Sequence, residues 1–370
     1  MTVFRYVAAL VFLALAAPAA AQAGGRDKVA CGATITSDTK LRADLTNCPG
    51  DGLVIGANGI TLDLGRRTID GTGAEGSQGI RLNGRRGVKI KNGTVQEFAV
   101  GVGLDGSDSN RLQWLTVRAN GGRGVNALNG SDRNLFEAVH STGNATGIAI
   151  TASEGNVVRH SAPAGNQITG VLLFGATQTR IEHNRVTGNA GNGIVIVEGS
   201  NENRVLANAV EGGEAGLVVD TSDRNLLALN KITGSGDGVY LAGNANTIAA
   251  NVIDRSGGPC ETCLGYGIGV FAGESNVVKA NLVTRSAADG INVAAPTTTI
   301  ALNAAVRNGD YGIEAVPGVS DGGANRAWAN VNPAQCAGVA CRGEGRGHDR
   351  GDKRRGHDRG RGHGDGDRRR

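Results

Sequence analysis

Aromatic residues make up 3% of the 370-residue chain, methionine occurs once and tryptophan twice. So small a stock of large side chains excludes a conventional globular core, which depends on them for volume. No window sustains an i, i+3, i+4 apolar pattern long enough for a helix. Apart from the apolar run at residues 6–17, no stretch approaches the roughly 20 residues that a membrane-spanning helix needs. Cysteine is also sparse. The six fall into sequence-local pairs, Cys31 with Cys48, Cys260 with Cys263 and Cys336 with Cys341.

What the chain holds instead is glycine, 61 residues of it, much of it periodic. Gly147, Gly170, Gly193, Gly216 and Gly238 each open a Gly-[Ile/Val/Leu]-x-[Ile/Val/Leu] tetrapeptide at steps of 22 or 23 residues. The same register reaches Gly79, Gly101 and Gly124 upstream and Gly267, Gly290 and Gly312 downstream, with one long step between Gly238 and Gly267. An Asn-x-x-x-x-Asn motif runs in phase with it: Asn203 with Asn208, Asn225 with Asn230, Asn246 with Asn251, Asn276 with Asn281, and Asn325 with Asn330. Self-similarity at this period is the signature of a solenoid. Three short alternating strands per repeat, divided by Gly and Asn turns, make one coil of a parallel β-helix with neighbouring coils about 4.8 Å apart. Aliphatic rows then fill the interior, and Asn rows satisfy turn backbone.

These residues resemble the right-handed parallel β-helix repeat proteins of the pectin-lyase-like superfamily, over residues 53–332. Within it the short Asn-rich coils are most similar to NosD-type and other carbohydrate-binding and sugar-hydrolase β-helix domains. The resemblance implies an all-β, single-stranded right-handed parallel β-helix of about eleven to twelve coils. At Arg67 the chain departs from such proteins, which often carry His there, so no role is carried over to that position.

The flanks read differently. Residues 1–23 have the form of a secretory signal peptide, with Arg5, an apolar run and the small-x-small site Ala21-Gln22-Ala23; an uncleaved anchor is the alternative. The expected order is then an N-terminal cap at 24–52 closed by Cys31–Cys48, the helix at 53–332, and a C-terminal cap at 333–341 closed by Cys336–Cys341. Cys260 and Cys263 lie in the long repeat and are expected to staple a protruding loop, the alternatives being a four-cysteine zinc site or a redox-active pair. Residues 342–370 carry 11 Lys or Arg against 6 Asp or Glu and no aliphatic residue, so a disordered tail is expected. That tail, with His348, His357 and His363, suits anionic polymers or weak metal chelation. No nucleic-acid motif accompanies it, and no nucleic-acid partner is expected. A monomer is expected, secreted or periplasmic, with no transmembrane segment in the mature chain.

Three places can carry chemistry. Between the inward aliphatics of each glycine-led strand the outward residue is Arg81, Gly103, Ala149, Leu172, Val195, Val218, Tyr240, Gly269, Asn292 or Glu314. The apolar strip Leu172, Val195, Val218 and Tyr240 suits a partner, a loop or the stacking face of a ligand, against ordinary β-rich surface. No pair of carboxylates occurs in that row, so a two-carboxylate glycosidase arrangement is not expected there. Second, Asp108, Asp132 and Glu154 hold equivalent turn positions; calcium would relieve their repulsion, unless Arg111 and Arg133 neutralise them. Glu202, Arg204, Asp223 and Arg224 read as a salt-bridge ladder. Third, His160 and His183 stand 23 residues apart in one row and suit copper or zinc. Elsewhere that row holds Ala207, Leu229, Ala250, Ala280 and Leu302, which read as packed, and His140 falls out of register as a third ligand. The expected function is binding of an extended polysaccharide or cell-surface polymer without an identifiable catalytic centre. A polysaccharide lyase or hydrolase at the turn carboxylates, and a NosD-like copper-handling accessory protein, are the alternatives.

Overall fold

The computed structural model describes residues 29–258, 260 and 262–343. The signal-peptide and tail expectations fall almost entirely outside these residues. Every described element is a strand, and every pairing between strands is parallel. One sheet has fourteen strands in chain order, from Ala33–Ile35 and Leu53–Ile55 through Gln78–Asn83 and Val100–Asp105 to Ile313–Ala315 and Cys336–Ala337. About thirteen turns result, against the eleven to twelve expected, because Ala33–Ile35 pairs with Leu53–Ile55 and Cys336–Ala337 with Ile313–Ala315, so that both capping segments join the winding.

Two further ladders complete each coil. They are continuous through the eight-residue strands Lys89–Gln96, Arg111–Arg118 and Leu135–Thr142, which bend at Asn92, Trp114 and Ala138 (φ 61°, 53° and 52°). Further along, the same path is split into pairs such as Arg180–Glu182 and Arg185–Thr187. Alternation puts one aliphatic of each strand inside. Val171, Ile194, Leu217, Val239 and Ile268 form one such row, each paired with the next and all buried. Each buried side chain of this size contributes about 1.5–3 kcal/mol.

The repeat glycine stands where the chain enters the fourteen-stranded sheet against the next coil. A Cβ on Gly193 would lie 2.5 Å from the carbonyl oxygen of Gly216, so no larger residue fits. The Asn rows do what their spacing implies. Asn208 Nδ2 donates to Ile181 O (2.8 Å) and Asn230 Oδ1 (3.0 Å), and its Oδ1 accepts from Asn184 N (2.9 Å). A third row, Asn120, Asn144, Asn166 and Asn189, does the same at another corner. Of the Asn-x-x-x-x-Asn copies only the last reaches it: Asn330 accepts from Asn308 N in the third row, while Asn325 accepts from Asn303 N in the second.

All three expected disulfides are formed: Cys31–Cys48, Cys260–Cys263 and Cys336–Cys341. No described helix is long and apolar enough to cross a membrane.

Candidate functional site

The outward row of the fourteen-stranded sheet is continuous in register: Gly103, Asn126, Ala149, Leu172, Val195, Val218, Tyr240, Gly269, Asn292 and Glu314 pair in succession. The four apolar residues therefore form one strip, with Asn126 an additional member upstream. Val195 is buried and the other three are partly exposed.

At the C-terminal end of this strip the register breaks. Ala242 pairs with Ala272 although Leu241 pairs with Val270, which leaves Phe271 as a bulged residue. Bulges re-aim side chains. Here the Phe271 ring folds back over Gly269, where any Cβ would collide with it, and stacks on Tyr240 with centroids 4.6 Å apart. Tyr266 adds a third ring 6.1 Å from Phe271. Stacking of this kind is worth about 0.5–1.5 kcal/mol beyond area burial. The rings form a shelf on an otherwise aliphatic face.

One wall of the shelf is the long repeat. Asp237, buried, accepts from Tyr266 N (3.0 Å) and Leu264 N (3.4 Å), which ties the base of the disulfide-stapled loop to the sheet. Between Val218, Asp237, Tyr240 and the loop residues Thr262, Cys263 and Leu264 lies a cavity of about 260 Å³.

On the other side of the shelf stand two carboxylates. Asn292 Nδ2 donates both to Asp289 Oδ2 (2.9 Å) and to Glu314 Oε2 (3.1 Å), and Tyr311 N donates to Asp289 Oδ1 (2.9 Å). Burial, the charge of Asp289, its hydrogen bond and the charge of Asp310 push the Glu314 carboxyl up from the ordinary glutamate range. Tyr266 is also pushed up, by burial and then by Asp289, Glu314, Asp237 and Asp310. This pair lies only half within the outward row, where no pair was expected and none occurs. The row searched contained Glu314 alone. Its partner comes from a second outward position, the residue ahead of each repeat glycine, which holds Asn192, Ala215, Asp237, Tyr266, Asp289 and Tyr311 in successive coils. Aligning that position across the repeats would have exposed the pair.

The turn carboxylates stack as their spacing implies, but the oxygens of Asp108 and Asp132 serve the backbone. Asp132 N donates to Asp108 (3.2 Å) and Glu154 N to Asp132 (2.8 Å). Asp108 faces Arg86 (3.6 Å) and Arg133 (3.8 Å); Arg86, which forms a parallel bridge to Asp108 from the preceding coil, takes the part expected of Arg111. Of the expected ladder Glu202, Arg204, Asp223 and Arg224, one ion pair forms among the described residues, Arg224 with Glu202 at 3.2 Å, while Asp223 accepts from Asn244 N (2.8 Å) and Nδ2 (3.0 Å).

His160 and His183 stack with centroids 5.5 Å apart. Their row is not packed as expected: Leu229 and Leu302 are 64% and 60% exposed. Left-handed backbone at this corner, φ 49° and 56° at the two histidines, turns the side chains outward. Among the described residues no group of three or more His, Cys, Asp or Glu is placed to hold a metal ion. Two exposed imidazoles leave a copper donor set incomplete.

Comparison with known proteins agrees with this architecture. A family model described as "Right handed beta helix region" matches residues 78–232, and one described as "Periplasmic copper-binding protein (NosD)" matches residues 195–331. No curated protein sequence matches the chain. Among solved structures it is similar to DFA-IIIase from Arthrobacter chlorophenolicus A6 in complex with GF2, with 12% identity, TM-score 0.51, and 71% of this chain and 70% of that one covered. It is also similar to the A-module of Azotobacter vinelandii mannuronan C-5 epimerase AlgE6, with 12% identity, TM-score 0.51, and coverage of 85% and 91%. At these identities the likeness speaks for the fold alone. With its parallel ladders, Asn rows and aliphatic interior, the chain folds as a parallel β-helix, and residues 78–232 match the right-handed β-helix model.

Proposed function

We propose that the chain is an exported protein that binds an extended saccharide polymer along its fourteen-stranded sheet, with Tyr240, Phe271 and Tyr266 as the stacking platform. The observation that carries this reading is the bulge at Phe271, which lays an aromatic ring flat on the sheet beside a cavity and a hydrogen-bonded carboxylate–amide cluster. Sugar rings present apolar C–H faces to aromatic rings and hydroxyls to carboxylates and amides, and this face offers both. The mannuronan epimerase module, which has the same fold, is named for a polysaccharide. Three disulfides fit an oxidising compartment, and the signal-peptide pattern of residues 1–23 supports export to the periplasm or beyond.

The test is binding of the purified chain to a panel of neutral and acidic polysaccharides by affinity electrophoresis, beside Phe271→Ala and Tyr240→Ala. Retardation by at least one polymer, weakened about tenfold or more in both variants, is expected, roughly the loss of one stacking contact. No retardation anywhere in the panel, or retardation indifferent to both substitutions, would sink the reading.

A second reading, hydrolysis, is favoured by the raised Glu314 carboxyl. A carboxyl pushed up by burial and by a neighbouring carboxylate holds its proton more firmly than a free glutamate, which is the tendency a general acid needs. Release of reducing ends from the bound polymer, abolished in Glu314→Gln and Asp289→Asn while binding persists, would establish it; binding without any release would remove it. The turn row Asp108, Asp132 and Glu154 is the weaker candidate because Asp108 and Asp132 accept backbone hydrogen bonds.

A further inference from the structure

On the third ladder, one corner residue per coil is left-handed. It is glycine in five successive coils, Gly143, Gly165, Gly188, Gly212 and Gly234 (φ 64°, 59°, 61°, 76° and 68°). Left-handed backbone is where glycine carries no steric penalty. In the next three coils the same corner, with the same hydrogen bond to the following coil, holds Arg255, Arg285 and Arg307 (φ 56°, 57° and 58°). Three consecutive arginines at positions suited to glycine, each costing about 1 kcal/mol or more in backbone strain, stand in a straight row about 4.8 Å apart. A single carboxylate serves the row: Asp254 binds Arg285 through two bonds (2.8 and 2.6 Å) and meets Arg255 at 3.2 Å. Among the described residues Arg307 has no ion-pair partner. Two surface cavities flank the row. One, of about 220 Å³, is lined by Thr284, Arg285, Val306 and Arg307. The other, of about 300 Å³, brings Arg255 together with Lys231, Thr187, Thr233 and Arg185, the last facing the one carboxylate of the lining, Glu211, at 3.9 Å.

We propose that this corner is a docking stripe for an acidic polysaccharide, the guanidinium groups of Arg255, Arg285 and Arg307 taking successive carboxylate or sulfate groups of one chain. It lies on a different ladder from the aromatic shelf and does not depend on it. Guanidinium groups bind such oxyanions through paired donors. Beside the cations, which outnumber the single carboxylate Glu211, the linings carry the hydroxyls of Thr187, Thr233 and Thr284, which match a polyhydroxylated chain. Single-stranded nucleic acid calls for aromatic platforms on which bases stack, and no aromatic residue lines either cavity.

Trp328 makes the site observable. It pairs with Val306, and its carbonyl accepts from Arg307 N, and the chain has only one other tryptophan, Trp114. In the full chain carrying Trp114→Phe, titration with dextran sulfate and with alginate is expected to change Trp328 emission saturably, and neutral dextran to leave it unchanged. Adding Arg285→Gly and Arg307→Gly, which restores the residue of the five preceding coils and so spares the fold, is expected to weaken that response about tenfold or more, with strong dependence on salt. Reading Trp328 separates this site from charge elsewhere on the chain. The proposal fails if neither acidic glycan changes Trp328 emission, or if the double glycine variant titrates like its parent. It fails as well if single-stranded DNA matches the acidic glycans, since the stripe would then read charge alone.

Discussion

Asn208 shows how much one side chain does here. Its amide closes hydrogen bonds to three neighbours in a buried row. Asn208→Ala would strand the Ile181 carbonyl and the Asn184 N–H away from water, so a loss of roughly 2–4 kcal/mol is expected, measured as a fall in the urea midpoint at unchanged m-value. Glu314 leads to a prediction with the opposite tendency. Its folded-state pKa is raised, so the native state holds the proton more firmly than the unfolded chain. The stability this contributes is present at low pH and is lost as pH rises from the ordinary glutamate value through the raised one. Glu314→Gln, which keeps the acceptor for Asn292, should therefore raise Tm at pH 7 and leave it nearly unchanged at pH 4. A Tm lowered at pH 7 would show that the ionised pair is structural. Asp321 goes the other way. Hydrogen bonds from Ala340 N and Gly323 N hold its carboxyl below the usual range, so its contribution is present above the unfolded value and is lost as pH falls.

At the scale of elements, the strands themselves were legible: Gly-[Ile/Val/Leu]-x-[Ile/Val/Leu] marks an inward-outward-inward strand, and all downstream copies from Gly147 to Gly312 pair in register. The bulge was not legible. Nothing in Gly267 to Ala272 says which residue drops out of the ladder, because that depends on how Leu241 and Ala242 present their backbone from the coil before. The stapled loop has a separable role. Cys260 and Cys263 are only 3 residues apart, so their bond removes little chain entropy from the unfolded state. The double variant Cys260→Ser/Cys263→Ser is expected to shift Tm by only about 2 °C or less. Polysaccharide affinity should fall several-fold, since Thr262, Cys263 and Leu264 form one wall of the cavity. A large loss of Tm with affinity intact would mean that the loop braces the solenoid.

For the whole molecule, each coil touches only its neighbours, so stability is close to a sum of stacking terms. Deleting residues 193–215 joins Asn192 to Gly216, in the repeat's own register. The shortened chain should keep a cooperative transition and the circular dichroism of parallel strands, with the urea m-value lower by roughly one part in thirteen. Collapse of the transition would show that the coils are not interchangeable.

The repeat alone determined the parallel ladders, the aliphatic interior and two of the three Asn rows, because contacts that recur at every coil leave a period in the sequence. The candidate site and the arginine stripe were settled by tertiary structure, because both consist of residues that break the period. Asp289 and Glu314 meet only because one coil lies on the next, Phe271 covers Gly269 only through a bulge, and Arg255, Arg285 and Arg307 align only because the long step before Gly267 is taken up in a loop that leaves the coils in register.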